Sequence, residues 1–96
     1  MNILVAYDVS TVSSEGRRRL RRVAKICEGF GQRVQYSLFE VTCSNTQFAR
    51  LLIALEGAIE PREDSLRIYP IDRDTLSDVI QIGRTMAFEA HEPWNL

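Results

Sequence analysis

The stretch that decides the fold is residues 3–9, which read ILVAYDV and form an apolar run that reaches a carboxylate. Ile3 through Tyr7 are all apolar and two of the five are β-branched, a composition typical of a strand that is covered on both faces. Serine and threonine residues follow at once, and these favour a turn. We therefore predict a central strand with Asp8 at its C-terminal end.

The carboxylate of Asp8 has two possible roles at such a strand end. An ionised carboxylate is costly to bury without a partner, so an exposed position facing a cation or a phosphate-bearing partner would satisfy it. Alternatively, Asp8 caps the following loop or helix. The local pattern leaves both interpretations open.

Length and composition indicate a single domain of ordinary globular character. The chain has 96 residues, which allow one core, and we expect that core over about residues 1–83 with a C-terminal tail over about 84–96. The only cysteines, Cys27 and Cys43, lie far from the single histidine, His91, so neither a zinc site nor a disulfide framework is expected. No apolar run reaches membrane-spanning length and no signal-peptide pattern opens the chain, so we expect no membrane partner and a cytoplasmic location.

Charge is unevenly distributed along the chain, although the net charge is only −1. Residues 16–39 hold seven basic residues and one acid, whereas residues 56–78 hold seven acids and three arginines. Eleven of the twelve basic residues are arginine, whose planar fork of donors matches phosphate. This asymmetry predicts a surface that faces a polyanion.

Hydrophobic periodicity predicts the remaining elements. They are a helix over 15–28, two short strands over 33–38 and 39–43 that meet at a kink near Leu38 and Phe39, a helix that begins at a capping box of Ser44 and Gln47, and strands over 65–71 and 79–82. Arg33 is expected on a polar face, and Gly29 and Gly31 are candidate left-handed caps of the first helix. We predict an α+β, ferredoxin-like βαββαβ fold, an antiparallel sheet with two helices on one face.

The first helix has one apolar stripe, formed by Leu20, Val23, Ala24 and Cys27, and a cationic opposite side. Arg18, Arg21, Arg22 and Lys25 lie on that side, with Arg17 and Arg19 at its borders. A charged outer face can simply keep a helix soluble, but such faces normally mix signs and this one carries only Glu28. The pattern favours contact with phosphate.

The first strand has apolar residues at both even and odd positions, so apolar side chains lie on both of its faces. The two helices can cover only one of these faces. The tail is apolar, with Met86, Phe88 and Trp94. We therefore expect a homodimer in which an extra C-terminal strand reaches toward the partner; a tail that folds back on its own sheet is the alternative. A twofold axis near the end of the first strand would also bring two Asp8 carboxylates together, a donor set that suits Mg²⁺.

Four segments of the chain carry a resemblance. They are the apolar run that ends in YDV at residues 7–9, RLRRVAK at 19–25, GQRVQYSLFE at 31–40 and DSLRIY at 64–69. In order and spacing they resemble the Cas-two family of CRISPR-associated endonucleases. The resemblance implies a ferredoxin-like homodimer with Mg²⁺, or Mn²⁺, between the two copies of Asp8. It also implies spacer acquisition, in which the dimer bridges dimers of the Cas-one integrase.

The resemblance further ties Arg19, Arg21 and Arg33, together with the aromatic residues Tyr7 and Phe39, to nucleic-acid handling. The candidate catalytic residues are then Asp8 and Tyr7, with Asp8 also the metal ligand. The candidate nucleic-acid-binding residues are Arg17, Arg18, Arg19, Arg21, Arg22, Arg33 and Phe39.

Two functions fit these residues. The first is a metal-dependent endonuclease that hydrolyses phosphodiester bonds in single-stranded RNA, duplex DNA or both. The second is a non-catalytic dimeric scaffold that holds duplex DNA in the adaptation complex. A single-strand RNA binder that stacks bases on sheet aromatics is disfavoured, because the aromatic signature of such sheets is absent.

Overall fold

The structure, a computed structural model, describes residues 1–84 and contains four strands and two helices in the order βαββαβ. The elements are β1 (Asn2–Asp8), α1 (Ser14–Glu28), β2 (Gly31–Gln35), β3 (Leu38–Thr42), α2 (Asn45–Ala58) and β4 (Ser65–Ile71). The predicted central strand, both helices and the strand over 65–71 are therefore confirmed, with shifts of a few residues at some ends.

The four strands form one antiparallel sheet in the order β2-β3-β1-β4. β1 is central, and its Val5 lies opposite Phe39 of β3 on one side and Ile68 of β4 on the other. Both helices cover the same face of this sheet. The predicted ferredoxin-like fold is confirmed.

The core lies between the helices and that face of the sheet. Alternate residues of β1 point into it, as the period of a strand requires, and the helices contribute their apolar stripes. Its fully buried members are Ile3, Val5, Val23, Cys27, Phe39, Val41, Leu51 and Leu55. Burial raises the pKa of the Cys27 thiol to about 12, so Cys27 packs as a small apolar residue.

Both helices begin at serine caps. The Oγ of Ser13 accepts a hydrogen bond of 3.0 Å from the backbone N–H of Gly16. In α2 the predicted capping box is confirmed: Ser44 Oγ accepts from the Gln47 N–H at 3.1 Å, and Gln47 Oε1 accepts from the Ser44 N–H at 2.8 Å. These bonds satisfy donors that every helix start leaves free.

The β1–α1 loop packs closely on the start of α1. A Cβ added at Gly16 would lie 2.0 Å from the carbonyl oxygen of Ser10, a distance no side chain tolerates. Position 16 therefore requires glycine for space, and the loop that follows Asp8 is held directly against the helix.

The predicted kink near Leu38 and Phe39 is wrong, because a hairpin turn at Tyr36 and Ser37 separates β2 from β3 instead. A register shift between Arg33 and Gln35, a β-bulge, accounts for the slip in the apolar alternation. The expected polar face for Arg33 is also wrong, since Arg33 lies opposite the buried Phe39.

Two further predictions fail. Gly29 is the C-cap of α1, as predicted, but its φ of −72° is right-handed and not left-handed. Gly31 belongs to β2, where an added Cβ would lie 2.3 Å from the Glu40 carbonyl oxygen. Gly31 thus serves close strand packing and not a left-handed cap. No strand forms over residues 79–82, which follow a series of turns. The predicted tail strand beyond them, with His91 and Trp94, lies outside the described residues.

The second face of the sheet is only partly covered. Leu4 and Leu38 lie on this face, and the segment that follows β4 approaches them through Leu76 and Val79, leaving a cleft of about 540 Å³. Ile80 and Ile82 are exposed. Over residues 1–84, neither helix has the length and apolar character needed to cross a bilayer.

Candidate active site and nucleic-acid interface

Asp8 ends β1, opposite Ser65 of β4, and its side chain is exposed. The helix cap that Asp8 could have supplied is supplied by Ser13. Within residues 1–84 its carboxylate enters none of the ion pairs. The structure thus places this carboxylate in an exposed position at the C-terminal end of a central strand, without an ion pair among the described residues.

A buried carboxylate, that of Asp64, fixes the loop that follows Asp8. Asp64 accepts hydrogen bonds from the backbone N–H of Ser10 at 3.1 Å and of Glu60 at 2.8 Å, and from Arg19 Nε at 2.7 Å. Its side chain is fully buried. The hydrogen bond from Arg19, aided by the two backbone N–H groups, lowers the pKa of Asp64 against the opposing effect of burial. The β1–α1 loop, α1 and the start of β4 are therefore joined at one point.

Sequence reasoning missed this cluster. Arg19 and Asp64 lie 45 positions apart, and neither the helical periodicity nor the acidic composition of the second half links them. The one available signal is that an aspartate directly before a strand, if buried, must find a partner.

The arginines of α1 divide into two groups. Arg19 is only 18% exposed and is paired with Asp64, so its charge is largely neutralised within the protein. The other predicted cations are exposed and form what we call the cationic face: Arg17, Arg18, Arg21, Arg22 and Lys25. Within this face, Arg17 donates to the carbonyl of Thr11 at 3.3 Å, at the edge of the β1–α1 loop.

Arg33 and Phe39 form a stacked pair beneath α1. The guanidinium carbon of Arg33 lies 5.3 Å from the centre of the Phe39 ring, and Nη2 lies 3.3 Å from a carboxylate oxygen of Glu28. Phe39 is fully buried, so its ring is not available to stack on a base. Arg33 Nε is buried without a hydrogen-bond partner among the described residues.

Tyr7 lies on the core side of β1, while the side chain of Asp8 points to the opposite face because neighbouring strand residues alternate. The phenol donates to the main-chain carbonyl of Tyr36 at 3.3 Å. Burial raises the pKa of Tyr7 to about 12, so the phenol is neutral near pH 7 and is no proton acceptor there. The structure does not bring Tyr7 and Asp8 together.

One chain offers an incomplete donor set for a divalent metal. Across residues 1–84 there is no group of three or more His, Cys, Asp or Glu side chains placed to hold an ion. Mg²⁺ is nevertheless often bound by one or two carboxylates, with waters and substrate phosphates completing the shell. Asp8 fits that scheme if a second copy of the chain or the substrate supplies the remaining oxygens.

These features match a known family over most of the chain. The family described as CRISPR associated protein Cas2 matches residues 1–79. The chain belongs to the Cas2 family. The match covers β1 through β4, hence Asp8, the cationic face and the buried pair of Arg19 and Asp64.

Individual Cas2 proteins agree over nearly their whole length. CRISPR-associated endoribonuclease Cas2 3 of Rhodospirillum rubrum is 46% identical over 91 residues, covering 95% of this chain and 96% of the relative. CRISPR-associated endonuclease Cas2 of Halalkalibacterium halodurans is 41% identical over 93 residues, 97% of each chain. The crystal structure of Streptococcus pyogenes Cas2 superposes with a TM-score of 0.79 at 40% sequence identity, and the match covers 86% of this chain and 100% of the Streptococcus pyogenes chain. The resemblance seen in the sequence is confirmed.

Proposed function

We propose that this protein is a metal-dependent endonuclease of CRISPR adaptation that acts as a homodimer, with Asp8 as its metal ligand and catalytic carboxylate. The observation that carries the proposal is the exposed Asp8 carboxylate at the end of a central strand, which has no ion-pair partner within residues 1–84. The names of the Cas2 relatives, which are called endoribonucleases and an endonuclease, support phosphodiester bonds as the target.

The chemistry assigned to Asp8 follows from its position. Mg²⁺ or Mn²⁺ bound between two Asp8 carboxylates would lower the pKa of a bound water and polarise a phosphoryl oxygen. The protein fixes the direction of Asp8 through β1, which has hydrogen-bonded neighbours on both sides, and through the loop anchored at Asp64. Tyr7 has a supporting role in this proposal, because its phenol holds the hairpin and faces the core.

Nucleic acid would bind along the cationic face, which begins at Arg17, in the first turn of α1 and seven residues after the anchored Ser10. Its five exposed cations would contact phosphates, and Arg33 would add to their field. Substrates consistent with this surface are single-stranded RNA and duplex DNA, both of which present a backbone of phosphates. A protein that handles such substrates in the cell would work in the cytoplasm.

The second face of the sheet supports the homodimer. Leu4, Ala6 and Leu38 are only partly buried there, and Tyr69 is 41% exposed. A second copy would cover these residues and bring the two ends of β1 together. As the family resemblance implies, this dimer would bridge two dimers of the Cas-one integrase during spacer acquisition.

The deciding experiment is a cleavage assay on RNA, single-stranded DNA and duplex DNA with Mg²⁺, Mn²⁺ or a chelator. We expect Asp8→Asn to abolish metal-dependent cleavage while its circular dichroism and sedimentation match those of the wild type. Asp72→Asn is the matched control, because Asp72 is also exposed directly after a strand but lies at the opposite end of the sheet. Cleavage that persists in Asp8→Asn would rule out the catalytic assignment.

A second function, a non-catalytic scaffold for duplex DNA, is favoured by the cationic face, which does not depend on Asp8. Charge removal by Arg18→Gln with Arg22→Gln should weaken duplex binding and reduce the slope of log K against log salt by about 0.9 for each lost phosphate contact. Arg62→Gln with Arg73→Gln removes two exposed arginines outside α1 and should leave the slope unchanged. Equal slopes in both double variants would exclude α1 as the contact surface.

A further inference from the structure

A cleft of about 650 Å³ lies between α1 and the β2–β3 hairpin, and we call it the hairpin cleft. Three buried or half-buried apolar side chains line it, and exposed side chains, among them two cations and an aromatic ring, stand around them. The first set is Tyr7, Leu20 and Ala24, and the second includes Arg21, Lys25 and Tyr36. Its size lies within the range of sites that enclose one small organic molecule.

The charges around the hairpin cleft favour an anion. Arg21, Lys25 and Arg33 line it against one carboxylate, that of Glu28. Glu28 is already paired with Nη2 of Arg33 at 3.3 Å. With Glu28 paired to Arg33, the positive charges of Arg21 and Lys25 are left without a carboxylate partner among the residues that line the cleft.

Tyr36 gives the cleft a flat apolar surface. Its side chain is 74% exposed at the hairpin turn, an unusual position for a large aromatic ring. Its main-chain carbonyl, in contrast, is held by the phenol of Tyr7. The backbone at Tyr36 is therefore anchored while its ring is free to contact another planar group.

We propose that the hairpin cleft binds one unpaired nucleotide of a nucleic acid that lies along the cationic face. The base stacks on Tyr36 above the apolar residues of α1, and Arg21 and Lys25 contact its phosphate. A duplex backbone alone would use the cations but not the apolar residues between them, which is why an unstacked base fits better. This inference rests on the proposed nucleic-acid binding and adds to it a preference for strands with an unpaired nucleotide.

The test compares two DNA ligands, a blunt duplex and the same duplex with a short single-stranded overhang that carries 2-aminopurine. We expect wild type to bind the overhang ligand more tightly and to change the fluorescence of the 2-aminopurine. Tyr36→Ala should weaken overhang binding by about 5- to 150-fold, the value of stacking one base on an aromatic ring, and leave blunt-duplex binding unchanged. Tyr36→Phe should retain the preference.

Arg22→Gln is the matched control, because Arg22 is exposed on α1 but does not line the hairpin cleft. It should weaken both ligands by the same factor. If Tyr36→Ala weakens the binding of both ligands equally, or of neither, the nucleotide site is refuted while binding along α1 stands. If wild type binds neither ligand, the proposed function itself fails. A fluorescence change that persists in Tyr36→Ala would place the base elsewhere and also refute the site.

Discussion

Removal of the Asp64 carboxylate should destabilise the protein more than the loss of any single surface ion pair. In Asp64→Ala the backbone N–H groups of Ser10 and Glu60 lose their acceptor, and Arg19 loses its closest partner at 2.7 Å. A buried donor left unsatisfied costs about 1–3 kcal/mol, and breaking a buried ion pair from one side costs about 3–5 kcal/mol. Because these losses overlap, we expect a decrease in unfolding free energy of about 3–5 kcal/mol.

That decrease is a large part of the roughly 5–15 kcal/mol available to a domain of ordinary stability. Urea unfolding followed by circular dichroism, at one fixed protein concentration, measures it. Glu63→Ala is the matched control: Glu63 lies 3.8 Å from Arg19, but its side chain is 52% exposed, so its loss should change the stability by less than about 1 kcal/mol.

Asp64→Asn provides a milder form of the same perturbation if Asp64→Ala does not fold. It retains one acceptor oxygen for the backbone N–H groups of Ser10 and Glu60 and the guanidinium of Arg19, so its stability should lie between those of wild type and Asp64→Ala. If both Asp64 variants unfold at the same urea concentration as Glu63→Ala, the buried cluster does not anchor the β1–α1 loop.

Three further predictions concern stability. Gly16→Ala should lower the free energy of unfolding by about 1–3 kcal/mol, because the new Cβ would meet the Ser10 carbonyl oxygen. Gly57→Ala should raise it by about 0.5–1 kcal/mol, because Gly57 lies inside α2 with open space around it. Urea unfolding should show the two midpoints shifted in opposite directions. Ser44→Ala should lower the stability of the folded protein by about 0.5–2 kcal/mol, measured by thermal melting, and an unchanged stability would contradict the capping box. The folded pKa of Asp64 is lowered, so its stabilisation is present above the unfolded pKa near 3.9 and is lost as pH falls through the folded pKa. The stability difference between wild type and Asp64→Asn should therefore shrink from pH 7 to pH 3, and a constant difference would contradict this.

The parts of the fold that follow from local pattern could be predicted from the sequence. The apolar run before Asp8 predicts a strand, and the apolar stripe of α1 and the capping box at Ser44 each predict a helix. Each of these patterns is contained in a short stretch of sequence. The hairpin could not be placed in the same way. A bulge next to Arg33 and a turn at Tyr36 and Ser37 together shift the alternation of apolar residues by one position, which in the sequence looks like a kink within one strand.

In the candidate site, too, the features set by local pattern could be predicted and those set by tertiary contacts could not. The exposure of Asp8 and of most α1 arginines follows from strand and helix periodicity. The pairing of Arg19 with Asp64 depends on tertiary structure that joins the helix to a distant loop, and no local pattern encodes it. The burial of Phe39 under Arg33 likewise depends on strand register, so its unsuitability as a base-stacking residue became visible only in the folded chain.

The bulge in β2 also has a consequence for aggregation. β2 is an outer strand of the sheet, and an outer strand with unpaired backbone groups can recruit strands from other molecules. Here the strand is only five residues long, is interrupted by the bulge, and turns the charged side chain of Arg33 inward. These three features discourage another strand from adding beside β2, so this edge is protected against polymerisation at high protein concentration.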